Sequence, residues 1–119
     1  ALPLRVSGAF HSPLMRPARE PLLEIINSVN FRDAKIPVYQ NIQAEPVTDY
    51  NILRENILKQ LENPVLWSDI ILNMKKEGIS NFFEVGPGKV LKGLNQRIFP
   101  ESTTIICDKL EHLDACEVL

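Results

Sequence analysis

Ile79-Ser80-Asn81-Phe82-Phe83-Glu84-Val85-Gly86-Pro87-Gly88-Lys89-Val90-Leu91 is the stretch whose reading decides the fold class. Ile79 to Val85 is a short, largely apolar run with adjacent phenylalanines, the composition of a buried strand. Gly86-Pro87-Gly88 is a tight turn. Val90, Leu91, Leu94 and Ile98 then recur at helical spacing and predict a helix over 90–98. Thr103 to Cys107 reads as the next strand, and Leu110 to Val118 as a last helix. Strand, helix and strand in succession need a crossover connection. Crossovers build a mainly parallel sheet flanked by helices, so the expected fold class is α/β.

Upstream of this unit the pattern continues. Ser68 is a candidate cap for a helix running to Met74 and Lys75, with Ile70, Ile71 and Met74 facing inward, and Gly78 is placed to end it in a left-handed conformation. A helix over about Ile52 to Leu61 carries Leu53, Ile57 and Leu61 on one side and stops at Asn63-Pro64. Ala44 to Asp49 is rich in turn formers and reads as a loop, preceded by a short strand over Ile36 to Tyr39 and a connection over Phe31 to Lys35. Ser12-Pro13 opens another helix, with serine as the cap and proline at its first position. Its apolar face is Leu14, Ala18, Leu22, Ile25, Ile26 and Val29. Pro17 is tolerable in a first turn, whereas Pro21 is expected to kink that helix or split it in two. Leu2 to Ser7 is a strand candidate, at an edge or a strand start because of Pro3. The chain begins at Ala1 in what reads as a strand entered from something earlier, so it is expected to be a fragment or a processed piece. It has no internal repeat and no low-complexity segment.

Composition excludes several function classes. The 119 residues suit one compact domain, 45% hydrophobic and 24% charged, with a net charge of −2. No basic block exists to neutralise phosphates, so nucleic acid is not an expected partner. No apolar run approaches the roughly 20 residues that span a bilayer, and none reads as a signal peptide, so no membrane partner is expected either. Cys107 and Cys116 lack metal-ligand spacing and, with His112, fall short of the four ligands of a structural zinc site. They read as free thiols of a reducing compartment, cytoplasmic or an organellar stroma or matrix. No metal and no cofactor are expected.

His11, one of two histidines, is the leading candidate for chemistry. It sits where an apolar strand-like run ends and a helix begins, and small Gly8 and Ala9 leave room for a substrate. Histidine is the usual general base near neutral pH because the free imidazole pKa, about 6.5, needs little tuning. A structural histidine bonded to backbone is the plainer alternative. Gly86-Pro87-Gly88-Lys89 precedes a helix whose exposed N–H groups form a natural anion site. The stretch is not a Walker A loop, since Phe83 stands where that motif needs glycine and Val90 where it needs Ser or Thr. A structural turn is its plainer reading. Trp67 reads as a core or groove aromatic, Gln60 as a solvated residue, and Arg54, Glu55, Lys59, Lys75, Lys76 and Glu77 as solvated faces. No Gly-x-Ser-x-Gly elbow occurs, and Ser7, Ser12, Ser28, Ser68, Ser80 and Ser102 all lack that strained turn. A complete Ser-His pair is not present within these residues.

Order and spacing together carry a family resemblance. Ser7-Gly8-Ala9-Phe10-His11-Ser12-Pro13-Leu14-Met15 resembles the catalytic-histidine segment of malonyl-CoA:acyl carrier protein transacylases. Asn41-Ile42 through Pro46-Val47-Thr48-Asp49 resembles that family's following strand and loop. Gln60-Leu61 with Asn63-Pro64-Val65 and Trp67 resembles its central signature, and Glu84 to Leu91 with Gly93-Leu94 its late strand-turn-helix. The likeness runs to about Arg97, and the tail after Phe99 carries no motif.

The resemblance implies the C-terminal part of an α/β-hydrolase-like large domain across 1–119, with Leu2 to Val6 as the last strand of a small ferredoxin-like subdomain. It implies transfer of a malonyl group from coenzyme A to acyl carrier protein in fatty acid biosynthesis, by ping-pong chemistry on a Ser-His pair. His11 would be the general base and the backbone carbonyl of Gln60 would orient it. Phe10 and Asn41 would lie at the substrate, with Phe10 marking malonyl over bulkier methylmalonyl. The expected partners are malonyl-CoA, acyl carrier protein and an N-terminal half that supplies the nucleophilic serine, the carboxylate-clamping arginine and the oxyanion-hole glutamine. Arg5, Arg16 and Arg19 do not occupy the clamp's motif and are not substitutes for it. These residues alone are expected to be inactive. Three alternatives stay open: an acyltransferase domain of a polyketide-type synthase, a non-catalytic binding module of the same fold, and a nucleotide-binding protein using Gly86 to Lys89.

Overall fold

The computed structural model describes residues 8–109, 111 and 112. The strand expected over 2–7 and nearly all of the helix expected over 110–118 lie outside the described residues, as does Cys116. The chain divides into two compact units, Ala1–Ile70 and Ile71–Leu119. The described elements are α/β in kind: helices flanking two small sheets.

The first unit opens with a 3-10 helix over Pro13–Ala18, followed directly by α1 over Arg19–Ser28. Ser12 caps the 3-10 helix, accepting from Leu14 N at 3.3 Å. The expected single helix is thus split, but not because Pro21 breaks it. Pro21 stands in the first turn of α1, where its missing N–H has no intrahelical partner to lose. The tight 3-10 geometry falls on the segment holding Pro17. Only Ile26 of the expected apolar face is fully buried, and Leu14, Ile25 and Val29 are exposed among the described residues.

β1 is Val38–Tyr39 and β2 is Pro46–Val47, and they pair antiparallel with Tyr39 opposite Pro46. The stretch 44–49 is therefore not wholly loop. A proline is admissible in so short an edge strand, since it only withholds a donor. α2 spans Tyr50–Lys59, two residues earlier than the apolar spacing predicts. Asp49 sets that start: its Oδ1 accepts from Asn51 N at 2.7 Å and from Ile52 N at 3.2 Å. Leu53 and Asn56 are its buried residues. Asn56 Nδ2 donates to Gln40 Oε1 at 2.9 Å and Gln43 Oε1 at 2.6 Å, while Gln40 Nε2 donates to Leu53 O at 3.0 Å. This network pins the turn after β1 to α2. α1 packs against α2, and Arg54 Nη2 donates to Asn27 Oδ1 between them.

α3 spans Trp67–Lys76, and the division between the units falls within it. Ser68 is inside this helix rather than its cap, because Ile70 N already bonds Leu66 O at 3.0 Å. Ile70 and Ile71 are almost completely buried, worth roughly 1.5–3 kcal/mol each. Gly78 ends the helix at φ 81°, with Gly78 N on Lys75 O and Ile79 N on Met74 O, both at 3.0 Å. That pair of bonds is a Schellman motif.

In the second unit β3 is Asn81–Val85, α4 is Val90–Ile98 and β4 is Thr103–Cys107. β3 and β4 pair parallel, with Asn81 opposite Thr103 and Val85 opposite Cys107, and α4 is the crossover that packs on β4. The parallel part of the expected sheet is this pair, whereas β1 and β2 form a separate antiparallel one. β3 is not fully buried as its composition suggests. Asn81, Phe83 and Val85 alternate onto one face of the strand and are exposed, Val85 by 80%, so that face lacks a full covering layer among the described residues. Nor is the buried side of α4 its apolar stripe. Asn95 is the buried residue, donating to Thr104 Oγ1 on β4 at 3.2 Å.

Candidate functional site

His11 stands in the turn before the 3-10 helix with φ 57°. A left-handed non-glycine residue costs about 1–3 kcal/mol and persists only where its surroundings over-determine it. Three local bonds do so. Ser12 Oγ donates to Ala9 O at 2.7 Å and accepts from Leu14 N at 3.3 Å, and Met15 N donates to Ser12 O at 3.0 Å. The serine hydroxyl spans the histidine and holds both flanks.

The ring itself is held from far along the chain. His11 Nδ1 lies 2.8 Å from the backbone oxygen of Gln60. A carbonyl can only accept, so this bond requires the proton on Nδ1. The neutral ring then keeps its lone pair on Nε2. Gln60 closes α2, with its own N–H on Asn56 O at 2.9 Å. Its carbonyl is one of the last in the helix and has no intrahelical donor. A spare acceptor at a helix end thereby becomes the anchor of a tautomer.

Phe10 is 66% exposed, and its ring lies over Gly8, where an added Cβ would fall 2.7 Å from Phe10 Cε2. Asn41 is half-buried and its main-chain oxygen accepts from Leu66 N at 2.8 Å, which ties it to the segment after Gln60. The structure thus joins His11 to Gln60 directly and places Phe10 beside His11 in sequence. It links Asn41 to the neighbouring segment rather than to the ring. A groove of about 190 Å³ lined by Leu23, Ile26, Arg54 and Leu58 touches none of these residues.

Two features escape a reading of the sequence. Glu62 receives Arg16 Nε on one carboxylate oxygen and Arg19 Nη1 on the other, each at 3.1 Å. The Arg16 guanidinium first, and Arg19 with it, hold the Glu62 carboxyl below the usual glutamate range. Both arginines are therefore already engaged. Separations of 46 and 43 residues leave no local signal for this. The second is Glu84, whose carboxylate accepts from Leu91 N at 2.9 Å and Lys92 N at 2.8 Å. Those are the donors an N-cap side chain normally takes. The candidate anion site before α4 is thus filled by the chain's own carboxylate, and the plainer reading of Gly86 to Lys89 as a turn describes it. Gly86 and Gly88 make that turn at φ 125° and 106°. An acid just before Gly-Pro-Gly was the available hint. No cluster of metal-ligating side chains occurs among the described residues. Cys107 is buried at the end of β4.

Comparison with known proteins joins these observations to one family. A malonyl CoA-acyl carrier protein transacylase of Bacillus subtilis (strain 168) is 39% identical over 114 residues, 96% of this chain and 36% of that protein. One from Staphylococcus aureus (strain COL) is 43% identical over 97 residues, 82% of this chain and 32% of that protein. The crystal structure of a malonyl-CoA:ACP transacylase from Synechocystis sp. PCC 6803 superposes with a TM-score of 0.87 at 33% identity, over 96% of this chain and 39% of that one. This chain belongs to the malonyl-CoA:acyl carrier protein transacylase family. It spans about a third of the length of the curated family members it matches. No family model matches it. Among the described residues no helix is long and apolar enough to cross a membrane.

Proposed function

We propose that this chain is the C-terminal part of the α/β-hydrolase-like large domain of a malonyl-CoA:acyl carrier protein transacylase. In this reading it supplies the general base and half of the substrate cleft, while residues outside this chain supply the nucleophilic serine. The substrates are malonyl-CoA and the thiol of acyl carrier protein, in fatty acid synthesis in the cytoplasm or an organellar stroma or matrix. The observation that carries the reading is the 2.8 Å contact between His11 Nδ1 and the Gln60 carbonyl.

The chemistry follows from that tautomer. Nε2 takes the proton of the serine hydroxyl as its oxygen attacks the malonyl thioester, and the imidazolium returns that proton to the departing coenzyme A thiolate. The Gln60 carbonyl faces the positive charge that develops on the ring. In the second half-reaction Nε2 takes the proton of the carrier thiol, the thiolate attacks the malonyl-serine ester, and the proton goes back to the serine oxygen. The Phe10 ring crowds the α-carbon of the acyl group, which favours malonyl over methylmalonyl. Asn41 lines the same cleft.

The test is His11→Ala in the full-length enzyme, read as malonyl transfer to acyl carrier protein. Loss of a general base is expected to lower the rate by about 10²–10⁴-fold. Transfer near the parent rate would remove His11 from the mechanism.

A further inference from the structure

We propose that Glu62 is a positioning residue for His11, clamping the segment that follows the histidine to the turn that carries the Gln60 carbonyl. The inference rests on the reading of His11 as the base and extends it to what holds the base in place.

The geometry has two sides. On one, Gln60 and Glu62 share the turn that leaves α2, braced by Glu62 N on Lys59 O at 3.2 Å and Asn63 Nδ2 on Lys59 O at 2.7 Å. On the other, Arg16 and Arg19 stand five and eight residues past His11, in the 3-10 helix and at the first residue of α1. Glu62 binds both, one guanidinium to each oxygen. Segments 11–19 and 60–62 are thereby fastened at three points, and the His11–Gln60 bond is one of them.

Apolar packing contributes little here, since only Met15 and Ala18 of the 3-10 helix are even half-buried. The 3-10 helix buries none of its residues among those described, and its hydrogen-bond geometry is intrinsically poor. Polar contacts must therefore set where the left-handed His11 sits. The exposures fit a clamp rather than an incidental surface pair: the Glu62 side chain is 10% exposed, against 74% for Arg16 and 45% for Arg19. Both arginines reach the same carboxylate, each at 3.1 Å. A solvent-exposed pair with two mobile partners would hold no geometry.

The experiment compares Glu62→Gln and Glu62→Asp with the parent in the full-length enzyme. It reads kcat and KM for malonyl transfer, the thermal midpoint, and the ¹⁵N imidazole shifts of His11, which separate the Nδ1–H from the Nε2–H tautomer. Glu62→Gln is expected to lower kcat by about ten- to a hundredfold with KM held, as for a displaced catalytic group. It is also expected to abolish the Nδ1–H signature, and Glu62→Asp should restore part of both. If Glu62→Gln fails to fold, Arg16→Gln replaces it, since Arg16 is largely exposed, and a smaller change of the same kind is expected. An unchanged His11 signature would overturn the proposal, as would, where His11→Ala is inactive, a kcat that falls only as the folded fraction falls. The His11→Ala result is separate. Full activity there together with a shifted signature in Glu62→Gln would reject the base and keep the clamp.

Discussion

The C-terminus of α2 and the N-terminus of α4 are both helix ends with unfilled backbone groups, and the chain treats them in opposite ways. At the first, the Gln60 carbonyl is left for a histidine ring 49 residues away in sequence. At the second, Glu84 reaches over from β3 and takes the free N–H groups of Leu91 and Lys92. The α4 end is the one that the sequence advertises, because glycines before a helix invite an anion. The lesson is that a helix terminus is available for chemistry only if no remote side chain has already closed it. Satisfying orphan groups is a requirement of folding, and the chain's own carboxylate meets it without a ligand.

The largest expected effect breaks the open end. His11→Ala removes the acceptor on Nε2 and should cost transfer the 10²–10⁴-fold of a general base, about 3–5 kcal/mol of barrier. The thermal midpoint should hardly move, because the ring is exposed. A large fall in midpoint would instead make His11 a structural residue.

The next breaks the closed end. Glu84→Ala leaves the Leu91 and Lys92 donors bare and should lower unfolding stability by about 1–2 kcal/mol, the usual worth of an N-cap. Glu84→Gln should recover part of this, since its carbonyl oxygen can still accept. Urea titration of the three proteins measures it, and coincident midpoints would show that the cap contributes nothing.

A subtler effect sharpens the open end through pH. Arg16 and Arg19 lower the Glu62 pKa on folding. The clamp's contribution is then fully present above the ordinary glutamate value of 4.5 and is lost as pH falls through the lowered folded value. The parent should therefore be more stable than Glu62→Gln at neutral pH, and the gap should close in acid. A gap that does not narrow as the pH falls below the ordinary glutamate value would exclude the ionised clamp. The smallest effect belongs to Gln60→Ala. Only its main chain meets His11, so transfer should stay within about twofold of the parent. A loss comparable to His11→Ala would mean that the side chain takes part.

Legibility followed the range of the interaction. The helix over 90–98 and the strand over 103–107 were readable to the residue, because spacing and composition decide them locally. Gly78 was readable as a helix stop for the same reason, whereas the helix expected to kink or split at Pro21 changes character at Ala18–Arg19, after the segment that holds Pro17. The buried face of α4 was not. Its stripe of Val90, Leu91 and Leu94 predicts burial, yet all three are exposed among the described residues, and the packed residue is Asn95. A polar side chain can occupy a core only where a partner waits, here Thr104, and pattern alone does not announce the partner. β2 was hidden within a run of turn formers because a two-residue strand is made by its pairing with Val38 and Tyr39, not by propensity.

What the sequence by itself determined is the order of strands and helices in the second unit, the want of a serine elbow, and a histidine in a setting suited to a base. These rest on steric preference, periodicity and residue chemistry, which act over a few residues. Only the tertiary structure decided that Glu62 gathers Arg16 and Arg19 and that Glu84 closes α4, and for the Gln60 carbonyl, which the family resemblance had already named, it decided that Nδ1 is the ring nitrogen held. Each of these depends on where a reversed chain sets down a side chain or a carbonyl to within an ångström, and hydrogen bonds weaken steeply outside that tolerance.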